Sequence, residues 1–270
     1  MIEYPLSKAT ELMAKMNGQF EGALKSAMAF QIVFRKFEKA VQDSQKPMQA
    51  VQKMIEQVGA LIHAYAVERH KEPDSVKVLL DQGWYVGWNT HHATANHLAG
   101  LIATGKHALV DKEMIELLDN ELEHIRKRLF RNYPKRRKAL KAAIDAHQKG
   151  NFYLSIPVFF AQSDGICREL TDKLFFVGNK KNRKPATAKW AEQFESTFAA
   201  MTMPLEELGI TRKHQSFGKP VGINRHDVLH GASLDYGENP INSYKALSLL
   251  NYIGLTIYEL KGLHGKKHLK

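Results

Sequence analysis

Apolar residues recur every three or four positions through most of this chain, and this spacing limits the folds open to it. Between residues 7 and 41 it is followed by seven side chains: Leu12, Met16, Phe20, Leu24, Met28, Ile32 and Val33. Such a stripe is typical of an amphipathic helix with one face towards a core. Alternating apolar and polar runs between turn residues, which indicate strands, are nearly absent. The sequence therefore predicts an all-α protein.

The distribution of charge divides the chain near residue 130. Residues 1–130 contain 16 basic and 16 acidic residues, whereas residues 131–270 contain 23 basic and 12 acidic ones. The whole net charge of +11 therefore belongs to the second part. We expect an N-terminal helical domain over 1–130 and a second helical domain over 131–270. The positive field of the second domain favours a polyanion such as nucleic acid, although a solubilising surface gives the same charge.

Composition narrows the class of protein further. No apolar run approaches the roughly 18 residues that a membrane span requires. The first residues lack the charged and apolar segments of a secretory signal. The single cysteine, Cys167, cannot form an internal disulfide. These features predict a cytoplasmic protein without membrane contact.

Helix and loop signals alternate in the second part of the chain. We predict helices at 135–149, 152–176, 187–201 and 242–263, with a short helix after Asn224. The predicted helix at 152–176 would bury one stripe of apolar side chains: Ile156, Phe160, Cys167, Leu170 and Leu174. Before the boundary, Asp111 has the side chain of a helix N-cap.

One short segment, residues 222–231, concentrates titratable side chains. It reads Gly-Ile-Asn-Arg-His-Asp-Val-Leu-His-Gly. Asn224 is a favourable N-cap and Gly231 favours a stop, so we predict a short helix with Val228 and Leu229 facing the core. Its arginine and histidines suit cleavage of RNA without a metal. Histidine can be acid or base near neutral pH, and a guanidinium can stabilise charge that develops on phosphorus.

This segment resembles the signature of HEPN domains, which is an arginine, a polar residue and then a histidine four to six positions on. A second segment, residues 153–166, resembles the early HEPN helix that presents an acidic residue towards the motif, here Asp164. The resemblance covers roughly residues 150–262 and implies a four-helix bundle. It also implies Arg225 and His230 as the catalytic pair and His226 at the polar position. We expect Asp164 and Asn224 to support the pair, with Asp164 orienting Arg225 or His230.

The function that the resemblance implies is a metal-independent endoribonuclease with no cofactor. In that family two copies face each other in a homodimer and form a composite site, and the 2′-OH attack leaves a 2′,3′-cyclic phosphate. Such enzymes are often toxins or antiphage effectors that attack tRNA or other RNA, which implies an antitoxin or regulatory partner. The alternative is a HEPN-like module that binds RNA or a protein partner without cutting.

Helical geometry separates the two predicted catalytic residues. Arg225 and His230 are five positions apart, about 140° around an ideal helix, whereas His226 and His230 share a face. We therefore expect Arg225 to lie at the entrance of the helix and the site to be completed across the dimer.

Two further patterns concern metal binding and contacts with RNA. His226, Asp227 and His230 approach the zinc-peptidase pattern, but aspartate replaces glutamate and no third ligand follows, so we predict no metal site. Two basic segments are candidates for contacts with RNA phosphates, and each is equally compatible with a solvated surface. They comprise Lys135, Arg136 and Arg137, and Lys180, Lys181, Arg183 and Lys184.

Overall fold

A computed structural model describes residues 56, 57, 59, 71–87, 90, 92–178, 184–207 and 222–267. Contacts divide the chain into two compact units, residues 1–72 with 89–96, and residues 73–88 with 97–270. This division falls at a different place from the predicted boundary after residue 130. The predicted helix between 7 and 41 lies outside the described residues. The second unit contains all the candidate site residues.

Helices make up nearly all of the described regular structure. They are α1 (His92–Ala103), α2 (His107–Asn132), α3 (Arg137–Gln148), α4 (Phe152–Thr171), α5 (Ala188–Ala191), α6 (Ala199–Glu206), α7 (Arg225–Leu229), α8 (Pro240–Asn251) and α9 (Tyr258–Lys267). Residues 71–81 are also helical, and the π-helical segment Tyr252–Ile257 joins α8 to α9. The described part contains no strand, only an isolated bridge between Gly178 and Pro185. The all-α prediction is confirmed. None of the described helices combines the length and apolar character needed to cross a bilayer.

Four of these helices pack around one core. α4 lies against both α3 and α8, and α2 contacts α3 and α8 in turn. Their fully buried apolar side chains include Ile125, Leu129, Leu140, Ile144, Ile156, Phe159, Phe160, Leu247 and Leu250. Each large side chain buried in this way contributes about 1.5–3 kcal/mol of transfer free energy. The core therefore fixes α4, the helix that carries Asp164.

A buried polar cluster joins the same four helices. His147 on α3 is 5% exposed, and its Nδ1 lies 2.8 Å from Oγ of Ser243 on α8. Ser243 Oγ is also 2.8 Å from Oγ of Ser155 on α4. The His147 ring packs edge-on against Tyr244, whose hydroxyl donates to Asp119 on α2 at 2.9 Å. Because buried polar groups are costly without partners, this cluster favours one arrangement of the helices.

The end of α4 determines the position of the turn that follows. The predicted stripe is buried from Ile156 to Leu170, but the helix stops at Thr171 and not near residue 176. Asp172 has a φ of 59°, a left-handed conformation that aspartate adopts more readily than most residues, and it ends the helix. Leu174 consequently lies beyond the helix and is only partly buried. The chain then turns so that Phe175 is buried in the core.

Two other predicted helix boundaries were wrong. α2 begins at His107 after Lys106, so Asp111 lies inside the helix, where its carboxylate accepts a hydrogen bond from the Trp84 indole. The predicted helix at 187–201 is interrupted, because α5 ends at Ala191 and α6 begins only at Ala199. A 3-10 turn, Ser196–Phe198, lies between them. Capping signals in the local sequence do not predict tertiary contacts or interruptions of a helix.

Candidate functional site

The short helix α7 begins with a side-chain cap. Asn224 is 3% exposed, and its Oδ1 accepts hydrogen bonds from the backbone amides of His226 at 2.9 Å and Asp227 at 3.4 Å. These bonds satisfy amides that have no partner inside the helix, a stabilisation of about 1 kcal/mol. The predicted N-cap is confirmed. Because the cap is buried, it also fixes the start of α7 against the rest of the unit.

The end and the faces of α7 follow from its five-residue length. Gly231 has a φ of 70°, which favours glycine and ends the helix as predicted. Val228 is buried, whereas Leu229 is 36% exposed. The prediction that both face the core was therefore wrong for Leu229, because neighbouring side chains on a helix point about 100° apart.

A cavity of about 680 Å³ lies between α4 and α7. Three guanidinium groups and three carboxylates line it: Arg136, Arg168, Arg225, Asp164, Glu169 and Asp172. Phe160, Leu174 and Leu229 add apolar surface. The cavity can therefore accept a ligand that has both charged and apolar parts.

Arg225, the first residue of α7, presents its side chain to this cavity. Its guanidinium carbon is 5.1 Å from the centroid of the Phe176 ring. Its Nε is buried and has no hydrogen-bond partner in the part of the chain that the structure describes. The guanidinium forms no hydrogen bond or ion pair with any residue that the structure describes. Arg225 is thus a half-buried cation that packs on an aromatic ring. No described carboxylate neutralises its charge, so the guanidinium can bind an anionic ligand.

Asp164 lies on the α4 side of the same cavity. Its Oδ1 accepts a hydrogen bond from the backbone amide of Phe176 at 3.2 Å. We expected this carboxylate to orient Arg225 or His230, but within the described structure it bonds to neither. It holds the turn that carries Phe176, whose aromatic ring lies beside the Arg225 guanidinium.

Arg136, predicted to contact RNA, is engaged inside the protein. Its Nη2 donates to Glu169 at 2.6 Å and its Nη1 to Gln162 at 2.9 Å. A Cβ built on Gly165 would lie 2.7 Å from both terminal nitrogens of this guanidinium. The absence of a side chain at Gly165 therefore makes room for the Arg136 guanidinium. Arg168, by contrast, is exposed and has no ion pair among the described residues.

The two histidines of the segment contact each other. The ring centroids of His226 and His230 are 4.3 Å apart, with an interplanar angle of 50°, as expected from residues on one face. His226 is partly buried and His230 is exposed. His230 does not line the cavity that Arg225 lines. Within one chain, the Arg225 guanidinium therefore lines the cavity and the His230 imidazole does not.

The remaining predicted contacts with RNA are dispersed. Lys135 and Arg137 are exposed, and the Arg137 guanidinium lies 5.3 Å from the centroid of the Phe130 ring. Lys184 is also exposed. Three residues of the second basic segment, Lys180, Lys181 and Arg183, lie outside the described residues. Among the predicted RNA contacts that the structure describes, Lys135, Arg137 and Lys184 are therefore accessible to solvent.

Sequence reasoning missed two residues of the site, Phe176 and Arg168. The spacing of Arg168 could have indicated its place in the site. It lies four residues after Asp164 and four before Asp172, on the polar face of the predicted helix. Phe176 was placed at the end of α4, and the sequence gives no sign that its ring supports Arg225.

Comparisons with known proteins do not assign this site. No family profile matches the chain, and neither the curated proteins nor the solved structures contain a similar one. Among the described residues there is no group of three or more histidine, cysteine, aspartate or glutamate side chains able to hold a metal ion.

Proposed function

We propose that the protein is a metal-independent endoribonuclease in which Arg225 and His230 are the catalytic residues. The observation that supports this most is the Arg225 guanidinium, which is held over Phe176 beside a cavity without a carboxylate bonded to it. An arginine in this state can bind a phosphate bidentately, because its planar fork matches the phosphate oxygens. The imidazoles that the reaction also needs lie on the same five-residue helix and at its end.

The reaction forms one phosphorus–oxygen bond, breaks another and transfers two protons. One imidazole takes the proton of the ribose 2′-OH, and the 2′-oxygen attacks the adjacent phosphorus. Arg225 stabilises the charge that develops on the phosphorane oxygens. The bond from phosphorus to the 5′-oxygen then breaks, and a protonated imidazole supplies a proton to that oxygen. The products are a 2′,3′-cyclic phosphate and a 5′-hydroxyl.

A second copy of the chain completes the site in this proposal. Within one chain Arg225 faces the α4–α7 cavity, which His230 does not line. Two copies related by a twofold axis would supply two imidazoles, one as base and one as acid, together with two guanidiniums. Contact with the His226 ring orients His230, and the Asn224 cap fixes the start of the helix that carries both.

The substrate in this proposal is RNA, including tRNA. The positive charge of the second half of the chain attracts it. Toxin or antiphage activity restrained by an antitoxin or regulatory partner follows from the HEPN resemblance. Lys135, Arg137 and Lys184 are exposed and suited to backbone phosphates. Arg136 supports the cavity wall instead, through its bonds to Glu169 and Gln162.

Analysis of product ends in the presence of excess EDTA tests the proposal. Full-length protein is incubated with a mixed RNA pool, and the ends of the fragments are identified by mass spectrometry. We expect cyclic phosphates and 5′-hydroxyls from the wild type and none from His230→Ala at equal protein concentration. Cleavage that EDTA abolishes, or fragments with 5′-phosphates, would contradict the mechanism.

A module that binds RNA without cutting it is the second candidate. The separation of Arg225 from His230 within one chain favours it, because a binding site needs no convergence on one phosphate. Binding is measured with the same RNA pool for the wild type, His230→Ala and Arg225→Met. The binding module is the better account if the wild type binds RNA and leaves it intact, while Arg225→Met binds RNA more weakly.

A further inference from the structure

A second cavity, of about 520 Å³, lies at the start of α2 and α8. It shares no lining residue with the α4–α7 cavity. Seven polar side chains border it: Asp81, Gln82, His107, Asp111, Asn239, Asn242 and Lys245. The proposed ribonuclease mechanism uses none of them.

Lys245 is the unusual member of this group. Its side chain is 12% exposed, and its Nζ lies 5.4 Å from the centroid of the Trp84 ring. The nearest carboxylate oxygen, Oδ1 of Asp111, is 4.0 Å away and already accepts a hydrogen bond from the Trp84 indole at 2.8 Å. No described residue hydrogen-bonds to the Lys245 amine. Because the side chain is 12% exposed, this amine has lost most of the water that would surround a surface lysine.

These surroundings make the amine of Lys245 easier to deprotonate than a lysine amine in water. Burial lowers the pKa of Lys245, and the negative charge of Asp111 opposes this effect only in part. The neutral amine is the nucleophilic form of lysine, and desolvation is a common way of activating it.

The rest of the cavity wall indicates what the amine would meet. Asp81 and Asp111 disfavour an anionic ligand, whereas carboxylates and carboxamides bind hydroxyl groups well. Asn239 uses its Oδ1 to cap α8, which leaves its amide hydrogens. Asn242 donates through Nδ2 to the Tyr236 carbonyl, which leaves its oxygen. The cavity thus offers both donors and acceptors to a small neutral polar molecule.

We propose that this cavity binds a small neutral hydroxyaldehyde and that the amine of Lys245 condenses with its carbonyl carbon. The nitrogen lone pair forms the new bond to carbon, and the carbonyl oxygen takes up the proton that nitrogen loses. Nitrogen then loses its second proton, and the oxygen departs as water with both protons, which leaves an imine. The carboxylates of Asp81 and Asp111 are placed to hydrogen-bond the hydroxyl groups of the bound aldehyde.

Reductive trapping in the full-length protein tests this. Glycolaldehyde and cyanoborohydride are added near pH 7, where hydride converts the imine to a stable secondary amine, and each lysine is quantified by peptide mass spectrometry. We expect Lys245 to be modified at least about ten times faster than Lys112, whose side chain is 71% exposed on α2. Simple accessibility predicts the reverse order. Modification of Lys245 at or below the rate of Lys112 would overturn the proposal.

Two controls separate reactivity from recognition of the hydroxyl group. Propionaldehyde has a carbonyl of similar size without a hydroxyl, so the preference for Lys245 should fall several-fold; an unchanged preference would overturn the binding part of the proposal. In denaturant the rates of Lys245 and Lys112 should become equal. The Lys245→Met variant, which keeps the aliphatic stem over Trp84, should lose only the fast modification. RNA cleavage by the His230 site should be the same in this variant and in the wild type.

Discussion

The guanidinium carbon of Arg225 lies 5.1 Å from the centre of the Phe176 ring, and the backbone amide of Phe176 donates to Asp164. This chain of contacts links α7 to the turn that follows α4. It explains how a helix of five residues can hold a half-buried cation without a carboxylate partner. The aromatic face supplies attraction of about 1 kcal/mol without neutralising the charge.

Replacement of Arg225 by methionine should separate catalysis from folding. Methionine retains apolar contact with Phe176 but cannot stabilise a phosphorane, so RNA cleavage should fall at least about 100-fold. Loss of the cation–π contact should lower Tm by only about 2–4 °C. Arg131→Met, at the exposed end of α2, is the matched control and should cleave like the wild type. An Arg225 variant that simply unfolds would support a structural role instead.

The two histidines of α7 should differ in their effect on cleavage. His230→Asn removes an exposed imidazole, so stability should change by no more than about 0.5 kcal/mol while cleavage falls about 100-fold or more. His226→Asn removes the ring that orients His230 and should cause a smaller loss. Single-turnover rates of the two variants are compared with those of His124→Asn, whose side chain is 72% exposed on α2. Equal activity of His230→Asn and His124→Asn would exclude His230 from the reaction.

Asp164 should act through the position of Phe176 and not through its charge. Asp164→Asn keeps an oxygen that can accept the Phe176 amide, so both stability and cleavage should stay close to those of the wild type. Asp164→Ala leaves that amide without its partner and should cost about 1 kcal/mol in unfolding free energy, with lower cleavage. Urea unfolding and cleavage are measured on both variants. A stable Asp164→Asn protein that has lost cleavage would instead show that the negative charge acts on Arg225 or His230.

His147 should make the four-helix core sensitive to acid. Burial lowers the pKa of His147 from 6.5 to about 4, and the charge of Asp119 opposes this only weakly. The folded protein therefore prefers the neutral ring, and unfolding is accompanied by proton uptake at pH values between the two. The stabilisation is complete above about pH 6.5 and is lost as the pH falls towards 4, a loss of about 3 kcal/mol.

Urea unfolding between pH 7.5 and 4.5 measures this loss. Other groups also titrate in this range, so the informative quantity is the difference between the wild type and His147→Gln. The variant should be less stable at pH 7.5, because its contact with Ser243 is altered, and its stability should change less with pH. His124→Gln should follow the wild type. Parallel curves for the wild type and His147→Gln would show that His147 is protonated at its ordinary pKa.

The sequence predicts those features that depend on neighbouring residues along the chain. Apolar spacing identified α3, α4 and α8 and the buried stripe of α4 from Ile156 to Leu170, and the side-chain chemistry of Asn224 and Gly231 identified both ends of α7. The contact between His226 and His230 follows from a spacing of one helical turn. Each of these depends on a local periodicity or a local hydrogen bond.

Features that depend on packing between distant segments were not predicted. The Phe176 ring reaches Arg225 because Asp172 ends α4 early, whereas the apolar residues 174–176 favour continuation of the helix. Gly165 receives the Arg136 side chain from a turn that is close only in the folded structure. Asp111 has the side chain of an N-cap, but its carboxylate binds the Trp84 indole from inside α2. Sequence position alone cannot distinguish these alternatives.

Mixing two inactive variants tests most directly whether two chains complete one site. Arg225→Met and His230→Asn are each expected to be inactive, and each retains the residue that the other lacks. After the two are unfolded together and refolded, the mixture should cleave RNA without a metal faster than either separate variant but more slowly than the wild type, because a mixed dimer retains one guanidinium and one of the two imidazoles at the shared site. If mixed dimers form, as native mass spectrometry would show, and cleavage stays at the level of the separate variants, the composite site is contradicted.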